Sequence, residues 1–307
     1  MVGVCEARAK FEPRNGVYLG AYVLQDDFIN NSMRIFNRLA GKKHATFFKY
    51  VGYGKKPFPK KWVERVKEVG AVPQISLEPN WGLDKVKDDA YLHRFAADAL
   101  ASGVPIFLRF ASEMNGNWVR YHGNPALYRS KWRLLWGVMR REAPNVAMVW
   151  AISAVEKALV AKAFPYYPGS RYVDWIGINL YSVKYHNGNP KFDATNEHPL
   201  AMLRYAYNKL RHFGKPFMVS EYGATHYAAK SMEDLARFSA IKIRQLYEGL
   251  KSLPMVKAIY YFDVNTVRNA PLSNRVNDYS LTNDIRLLSV YQEVIRSGYF
   301  LSNVKRW

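Results

Sequence analysis

Residues 72–110 read VPQISLEPNWGLDKVKDDAYLHRFAADALASGVPIFLRF and contain the pattern that decides the fold. Val72–Leu77 and Pro105–Phe110 are short apolar runs of the length and composition typical of buried strands. Between them, apolar residues recur at helical spacing from Asp88 onward, and Gly103 stands where a helix commonly ends. A strand, a helix and a strand in this order predict two parallel strands joined by a crossover helix.

The same alternation runs through the whole chain. Eight runs are predicted as strands: Tyr18–Leu24, Ala45–Tyr50, Val72–Leu77, Pro105–Phe110, Val146–Ala151, Trp175–Tyr181, Phe217–Glu221 and Ala258–Phe262. Amphipathic patterns beginning at Lys61 and Tyr128, and another from Leu287, predict further helices between or after them. Prolines follow the helix-ending Gly70, Gly103 and Gly214 at strand entrances, where a missing N–H is tolerated. Because no linker interrupts the alternation, we predict a single (β/α)8 TIM barrel over residues 1–307 in preference to a doubly wound sheet.

The composition narrows the classes of protein that this chain can be. Hydrophobic residues make up 49% of 307, which excludes a disordered chain, and the lone Cys5 excludes an internal disulfide or a cysteine-based metal site. No apolar run has the length of a membrane span and no signal pattern opens the chain. The net charge of +20 favours a polyanionic partner, yet the basic residues are scattered, which fits an ordinary solvated surface as well.

Polar residues at the ends of the predicted strands indicate where chemistry takes place, because parallel barrels carry their active sites there. Glu113 follows the fourth strand and Glu221 ends the seventh. Two facing carboxylates are what glycosidic bond cleavage needs, one protonated to release the leaving oxygen and one ionised to attack the anomeric carbon. The pair therefore predicts a glycoside hydrolase.

Three segments resemble a known family. RFASEMNGNW at 109–118, DWIGINLY at 174–181 and SEYG at 220–223 are similar to glycoside hydrolase family 26, whose members are retaining (β/α)8 glycanases, mostly endo-β-1,4-mannanases with some mixed-linkage glucanases and β-1,3-xylanases. The resemblance implies that Glu113 is the acid/base and Glu221 the nucleophile. Ser112 departs from the pattern, since the family usually has His before the acid/base, and the aromatic after Trp118 is displaced to Tyr121. We therefore expect a divergent member.

Further residues are candidates for contacts with the sugar or with the two glutamates. Arg109 either holds Glu221 ionised or forms an internal ion pair, and the Tyr181 hydroxyl either donates to Glu221 or packs in the core. Aromatic faces can stack under pyranose rings, which singles out Trp81 and Trp118 together with Tyr121 and Tyr222. Tyr22, Asp26 and Asp263 could bond sugar hydroxyls or cap loops. The predicted substrate-binding set is Arg109, Ser112, Asn115, Trp118, Asn179, Tyr181, Tyr222, Trp81 and Asp263.

No metal or cofactor is expected. His122, His186 and His226 have no metal-ligand spacing, and the sequence contains no phosphate-binding Gly-rich loop. Each histidine is more simply interpreted as a surface residue or a substrate contact than as a metal ligand.

The leading hypothesis is a retaining, endo-acting β-glycoside hydrolase that cleaves a β-mannan-like polysaccharide or another β-glycan. Ser112 and the basic surface make an acidic exopolysaccharide a further candidate substrate. One alternative is a carbohydrate-binding or wall-associated barrel without hydrolysis, which would bind oligosaccharides and release no reducing ends. A nucleic-acid-binding protein is the other alternative, but it has only the charge in its favour and no binding motif. The resemblance implies an extracellular or cell-surface protein, and we expect a monomer with a polysaccharide substrate and no nucleic-acid partner or membrane span.

Overall fold

Eight parallel strands close into a barrel in the computed structural model, which describes residues 8–305; Cys5 lies outside the described residues. The strands are β1 (Val17–Gln25), β2 (Thr46–Gly52), β3 (Val72–Glu78), β4 (Ile106–Phe110), β5 (Val146–Ser153), β6 (Trp175–Ser182), β7 (Phe217–Ala224) and β8 (Val256–Val264). Each strand pairs with the next along the chain, and β8 pairs back with β1 to complete the ring. The predicted (β/α)8 fold is confirmed.

Helices connect successive strands on the outside of the barrel. They are α1 (Met33–Leu39), α2 (Lys60–Glu68), α3 (Ala90–Ala101), α4 (Pro125–Glu142), α5 (Lys157–Ala163), α6 (Pro199–Leu210), α7 (Ala236–Gly249) and α8 (Ile285–Ile295), with one short helix at Thr266–Asn269. Side chains cap several of them, as when the Asp89 carboxylate accepts a hydrogen bond from the Leu92 N–H at 3.1 Å. None of the helices in the described range 8–305 has both the length and the apolar character needed to cross a membrane.

Two hydrophobic layers hold the barrel together. One lies between the strands and the helices, where α4 buries Trp132 and Leu135. The other fills the barrel interior with aromatic rings, and Phe107 packs edge-on against Trp175 with ring centroids 5.3 Å apart. Gly20 is required in this layer, because a Cβ at that position would lie 2.5 Å from the Tyr260 ring.

Several helices end near the glycines that the sequence analysis identified as helix ends. Gly70, Gly103 and Gly214 all have positive φ between the end of a helix and the start of a strand. Most strands extend a residue or more beyond the predicted apolar runs. On β3 this extension brings Glu78 into the strand, at the end of the barrel where the candidate site lies.

Short strands cover the barrel above β7 and β8. Asn277–Asp278 pairs antiparallel with Tyr227–Ala228, which also pairs with Glu233–Asp234. A separate two-residue strand, Phe300–Leu301, adds to the edge of β1. The segment 277–284 lies over the carboxyl end of β8, because the Tyr279 N–H donates to the Val264 carbonyl at 2.9 Å.

Candidate active site

A cavity of about 320 Å³ opens at the carboxyl ends of β2, β3, β4 and β7. Three carboxylates line it, those of Glu78, Glu113 and Glu221. Charged groups at such a position are costly unless they are partnered or used. The partners of each carboxylate therefore show what the arrangement can do chemically.

Glu221 lies on β7 and is surrounded by hydrogen-bond donors. The Arg109 guanidinium donates to Oε1 at 2.5 Å and the Tyr50 hydroxyl donates to the same oxygen at 2.6 Å, while the Tyr181 hydroxyl donates to Oε2 at 2.5 Å. Arg109 is fully buried and the ion pair is close to fully buried. Burial and the Glu221 charge raise the pKa of the Tyr181 hydroxyl well above its ordinary value, so this phenol keeps its proton and remains a donor.

Glu113 lies on the loop that follows β4, in a strained backbone conformation with φ +59°. Its N–H is tied to the Ala151 carbonyl on β5 at 3.0 Å, which fixes the loop. The two donors to its carboxyl group are neutral: Trp118 Nε1 reaches Oε2 at 2.8 Å and Asn179 Nδ2 reaches Oε1 at 2.9 Å. Burial and then the Glu221 charge raise the pKa of Glu113 to about 7.

The two glutamates are linked through β6. Asn179 is the Cα partner of Glu221 in the sheet register, and its side chain reaches across to Glu113. The Ser220 hydroxyl donates to Asn179 Oδ1 at 2.6 Å, which leaves the amide N–H groups to face Glu113. Residues of β6 thus link Glu221 on β7 to Glu113 on the loop after β4.

Glu78 is a buried third carboxylate without a cation partner among the described residues. Its Oε1 accepts from the Ser76 hydroxyl, and its Oε2 accepts from the Ser112 N–H at 3.1 Å and the Tyr121 hydroxyl at 2.6 Å. Ser112 Oγ in turn lies 3.1 Å from Ser76 Oγ and accepts from Arg109 Nε at 3.1 Å. Ser112 therefore connects the surroundings of Glu78 to the arginine that holds Glu221.

Sequence reasoning missed Glu78, Ser76 and Tyr50. The signal was available for two of them, because Glu78 directly follows a predicted strand and Tyr50 ends another. Ser76 lies inside its strand, where a hydroxyl gives no pattern to detect. Tyr121, considered for stacking, is instead buried with its hydroxyl on Glu78.

The other predicted residues occupy different positions relative to the cavity. Asn115 ties the loop after β4 to β5, donating to the Ser153 carbonyl at 2.8 Å and accepting from its N–H at 3.0 Å. Tyr222 has no exposed surface and packs among other tyrosines, so it leaves no face for a sugar. Asp263 is fully buried beneath residues 277–281.

Two tryptophans have exposed rings in the loops after β3 and β4. Trp118, which donates to Glu113, is 52% exposed, and Trp81, in the loop after β3, is 58% exposed. Within residues 8–305 no three His, Cys, Asp or Glu side chains come together as a metal site would require. His186 instead pairs with Glu197 at 2.8 Å and His226 with Asp278 at 3.2 Å.

Comparison with known proteins identifies the family. The family model for glycosyl hydrolase family 26 matches residues 82–248, which include both glutamates. Endoglucanase H of Acetivibrio thermocellus is 22% identical over 322 residues, an alignment that covers 97% of this chain and 32% of that protein. The chain therefore spans about a third of the length of this relative.

Solved structures share the fold. A modular endo-β-1,4-mannanase from Cellulomonas fimi superposes with a TM-score of 0.67 at 17% identity, covering 93% of this chain and 72% of that one. The catalytic domain of a family 26 endo-β-1,4-mannanase from Bacillus sp. JAMB-750 gives a TM-score of 0.66 at 18% identity, with 93% and 87% covered. At these identities the similarity concerns the barrel alone.

Proposed function

This chain belongs to glycosyl hydrolase family 26, and on that premise we propose that it is a retaining, endo-acting β-glycoside hydrolase. The observation that carries the proposal is the pair Glu113 and Glu221, which line one cavity from the loop after β4 and from β7 and have different partners. Retaining hydrolysis needs one protonated and one ionised carboxyl group, and the two glutamates have different hydrogen-bond partners, a guanidinium for Glu221 and neutral donors for Glu113.

Glu221 is the nucleophile in this proposal. Its two oxygens accept three hydrogen bonds, one from a buried guanidinium, which suits an anion held ready to attack. Attack on the anomeric carbon forms a covalent glycosyl–enzyme ester as the bond to the leaving oxygen breaks. The strand position fixes the direction from which the carboxylate approaches.

Glu113 is the acid/base. With a pKa of about 7 it is substantially protonated at neutral pH and can give its proton to the leaving oxygen. Once Glu221 is esterified its negative charge is gone, so the carboxylate of Glu113 can then take a proton from the water that hydrolyses the ester. Trp118 and Asn179 orient both oxygens of Glu113 without adding a charge.

The proposed substrate is a β-mannan-like polysaccharide or another β-glycan. Support comes from the relatives, one named an endoglucanase and two named endo-β-1,4-mannanases. Ser112, in place of the usual histidine, gives the cavity a small hydroxyl next to Glu78, so recognition at the cleaved sugar differs from the usual family pattern. A polymeric substrate also fits a protein that acts outside the cell or at its surface, as a monomeric catalytic domain.

The test is a screen of soluble mannan, glucomannan and mixed-linkage glucan with analysis of the released oligosaccharides. Wild-type protein should release a ladder of products from at least one polymer. Glu221→Ala and Glu113→Gln should each lower turnover by several orders of magnitude while the far-UV circular dichroism and melting curve persist. Near wild-type turnover in either variant would overturn the assignment, and binding without release of reducing ends would favour a carbohydrate-binding barrel.

A further inference from the structure

An exposed tryptophan with two cations beside it lies next to the cavity. Lys55 Nζ is 5.2 Å from the centroid of the Trp81 ring and Arg120 Cζ is 6.0 Å from it. The three residues, here called the Trp81 cluster, come from the loops that follow β2, β3 and β4. Cations at such distances from an indole ring are attracted by its π system, which localises their charge around the ring.

The Trp81 cluster is continuous with the cavity. Adjacent Cα atoms are separated by about 3.8 Å, so a neighbour of a cavity-lining residue is within one chain step of the cavity. The backbone N–H of Lys55 donates a hydrogen bond to the carbonyl of Gly52, a cavity-lining residue, at 3.3 Å. The cavity-lining residues next to the cluster are Asn80 for Trp81, Gly52 for Lys55 and Val119 and Tyr121 for Arg120.

The two positive charges of the cluster have no counter-ion in the part of the chain that the structure describes. Within residues 8–305, neither Lys55 nor Arg120 forms a salt bridge. Acidic residues in the same stretch of chain are already partnered: Asp84 pairs with Lys85 at 2.9 Å, Asp88 pairs with His93 at 2.8 Å, and Asp89 caps α3. An anion from outside the chain is therefore free to approach the cluster.

The cavity has the opposite charge. Glu78, Glu113 and Glu221 line it together with Arg109, whose one ion pair within residues 8–305 is with Glu221. A sugar carboxylate would be repelled at the cleaved bond and attracted at the Trp81 cluster. This separation of charges favours a polysaccharide that has a neutral sugar at the cleaved bond and an acidic sugar at the Trp81 cluster.

We propose that the Trp81 cluster is a subsite for a uronate residue of a mixed, partly acidic β-glycan. The indole ring contacts the apolar C–H face of the sugar while Lys55 and Arg120 bind its carboxylate. This inference rests on the proposed glycoside hydrolase function and adds a substrate class to it. It also gives a specific location to part of the excess positive charge of the chain.

The experiment compares soluble glucomannan with the same polymer after partial oxidation of its C6 hydroxyls to carboxylates. The variants are Lys55→Gln, Arg120→Gln and their combination, with Lys56→Gln as matched control. Lys56 is also exposed and makes the same charge change, but among residues 8–305 it lies over no aromatic ring. The measured quantity is kcat/KM on the oxidised polymer divided by kcat/KM on the neutral one, at low salt and at 0.5 M NaCl.

Exposed charges contribute modestly, so each single variant should lower this ratio about 3-fold and the double variant about 10-fold. Lys56→Gln should leave the ratio unchanged, and high salt should lower the wild-type ratio. Trp81→Ala should reduce kcat/KM on both polymers. An unchanged ratio in the double variant, or an equal loss in Lys56→Gln, would overturn the subsite.

Failure of the proposed function has a different signature. If the wild-type protein releases no reducing ends from either polymer, affinity electrophoresis in gels containing the two polymers still tests the subsite. Retardation by the oxidised polymer that disappears in the double variant would support the uronate subsite without hydrolysis. Equal mobility of wild type and double variant in that gel would count against it.

Discussion

Two pairs of acids lie at the same end of this barrel and differ in what covers them. Glu113 and Glu221, from β4 and β7, line an open cavity. Asp263 at the end of β8 and Asp26 after β1 are sealed beneath the segment 277–284, where the Leu281 N–H donates to Asp263 at 2.7 Å and the Thr282 hydroxyl donates to Asp26. An acid at the end of a strand is thus a catalytic candidate only where the loops leave room for a substrate.

The surroundings of the two pairs also differ electrostatically. Burial and then the neighbouring Asp26 raise the pKa of Asp263 well above its ordinary value, which favours the neutral form of this carboxyl group. Glu221 instead has a guanidinium at 2.5 Å. The neutral form is favoured for Asp263 in the sealed pair, whereas a fixed cation and two phenols contact Glu221 in the open pair.

The largest expected effect separates the pairs by activity. Glu221→Gln should reduce turnover at least ~10³-fold, because the nucleophile is lost while its shape remains. Asp263→Asn should leave turnover within about 2-fold of wild type, because the residue is buried away from the cavity lining and a neutral amide replaces a carboxyl group whose neutral form is favoured. Steady-state hydrolysis of the best polymer measures the turnover of both variants. A comparable loss in Glu221→Gln and Asp263→Asn would contradict the distinction between the open and the sealed pair.

The next effect concerns the acid. Since Glu113 must be protonated to act and its pKa is about 7, kcat/KM should fall about tenfold per pH unit above pH 7. Trp118→Phe removes a hydrogen-bond donor that lowers the pKa of Glu113. The fall of kcat/KM on the alkaline side of the pH–rate profile should therefore move to higher pH. Tyr181→Phe, which alters the surroundings of Glu221, serves as the comparison in the same pH–rate series. An alkaline fall that stays in place in Trp118→Phe would show that Glu113 does not control it.

A smaller effect tests the sealed pair through stability. The folded pKa of Asp263 is raised, so its stabilising contribution is fully present below the unfolded pKa near 4 and is lost as pH rises toward the folded value. The free energy of unfolding of wild type relative to Asp263→Asn should fall with a slope of up to about 1.4 kcal/mol per pH unit in that window. Urea unfolding from pH 4 to 8 measures the difference, and parallel curves would contradict a raised pKa.

The smallest effect is expected at Tyr222. Its hydroxyl lies 3.1 Å from Ser182 Oγ in the core, so Tyr222→Phe should cost about 1 kcal/mol of stability or less. Neither kcat nor KM should change, because the ring has no exposed face. A several-fold increase in KM would instead mean that the residue contacts sugar.

The sequence was sufficient for the barrel and for the location of the two glutamates. Apolar runs separated by helical periodicity mark every strand of the ring, and Glu113 and Glu221 stand at strand ends. Which strand-end acids share a cavity could not be read in the same way. Asp263 satisfies the same rule as Glu221, and only the tertiary placement of residues 277–284 removes it from the solvent.

The polar network behind the site was also beyond sequence reasoning. Ser76 and Ser112 are 36 positions apart, and their hydroxyls meet because β3 and β4 are paired neighbours. The role of Tyr121 depends on the same placement, since its ring could as well have been exposed for stacking. Hydrogen-bond partners of this kind depend on register and rotamer, which no local pattern specifies.

Covalent trapping of the nucleophile is the most direct test of the central claim. A 2-deoxy-2-fluoro β-glycoside with a good leaving group should slow hydrolysis of the glycosyl–enzyme ester and let it accumulate. Mass spectrometry of the digested protein should then show one added sugar on the peptide containing Glu221, and none in Glu221→Gln. Label on a peptide containing Glu113, or turnover of the polymer with inverted anomeric configuration, would contradict the account.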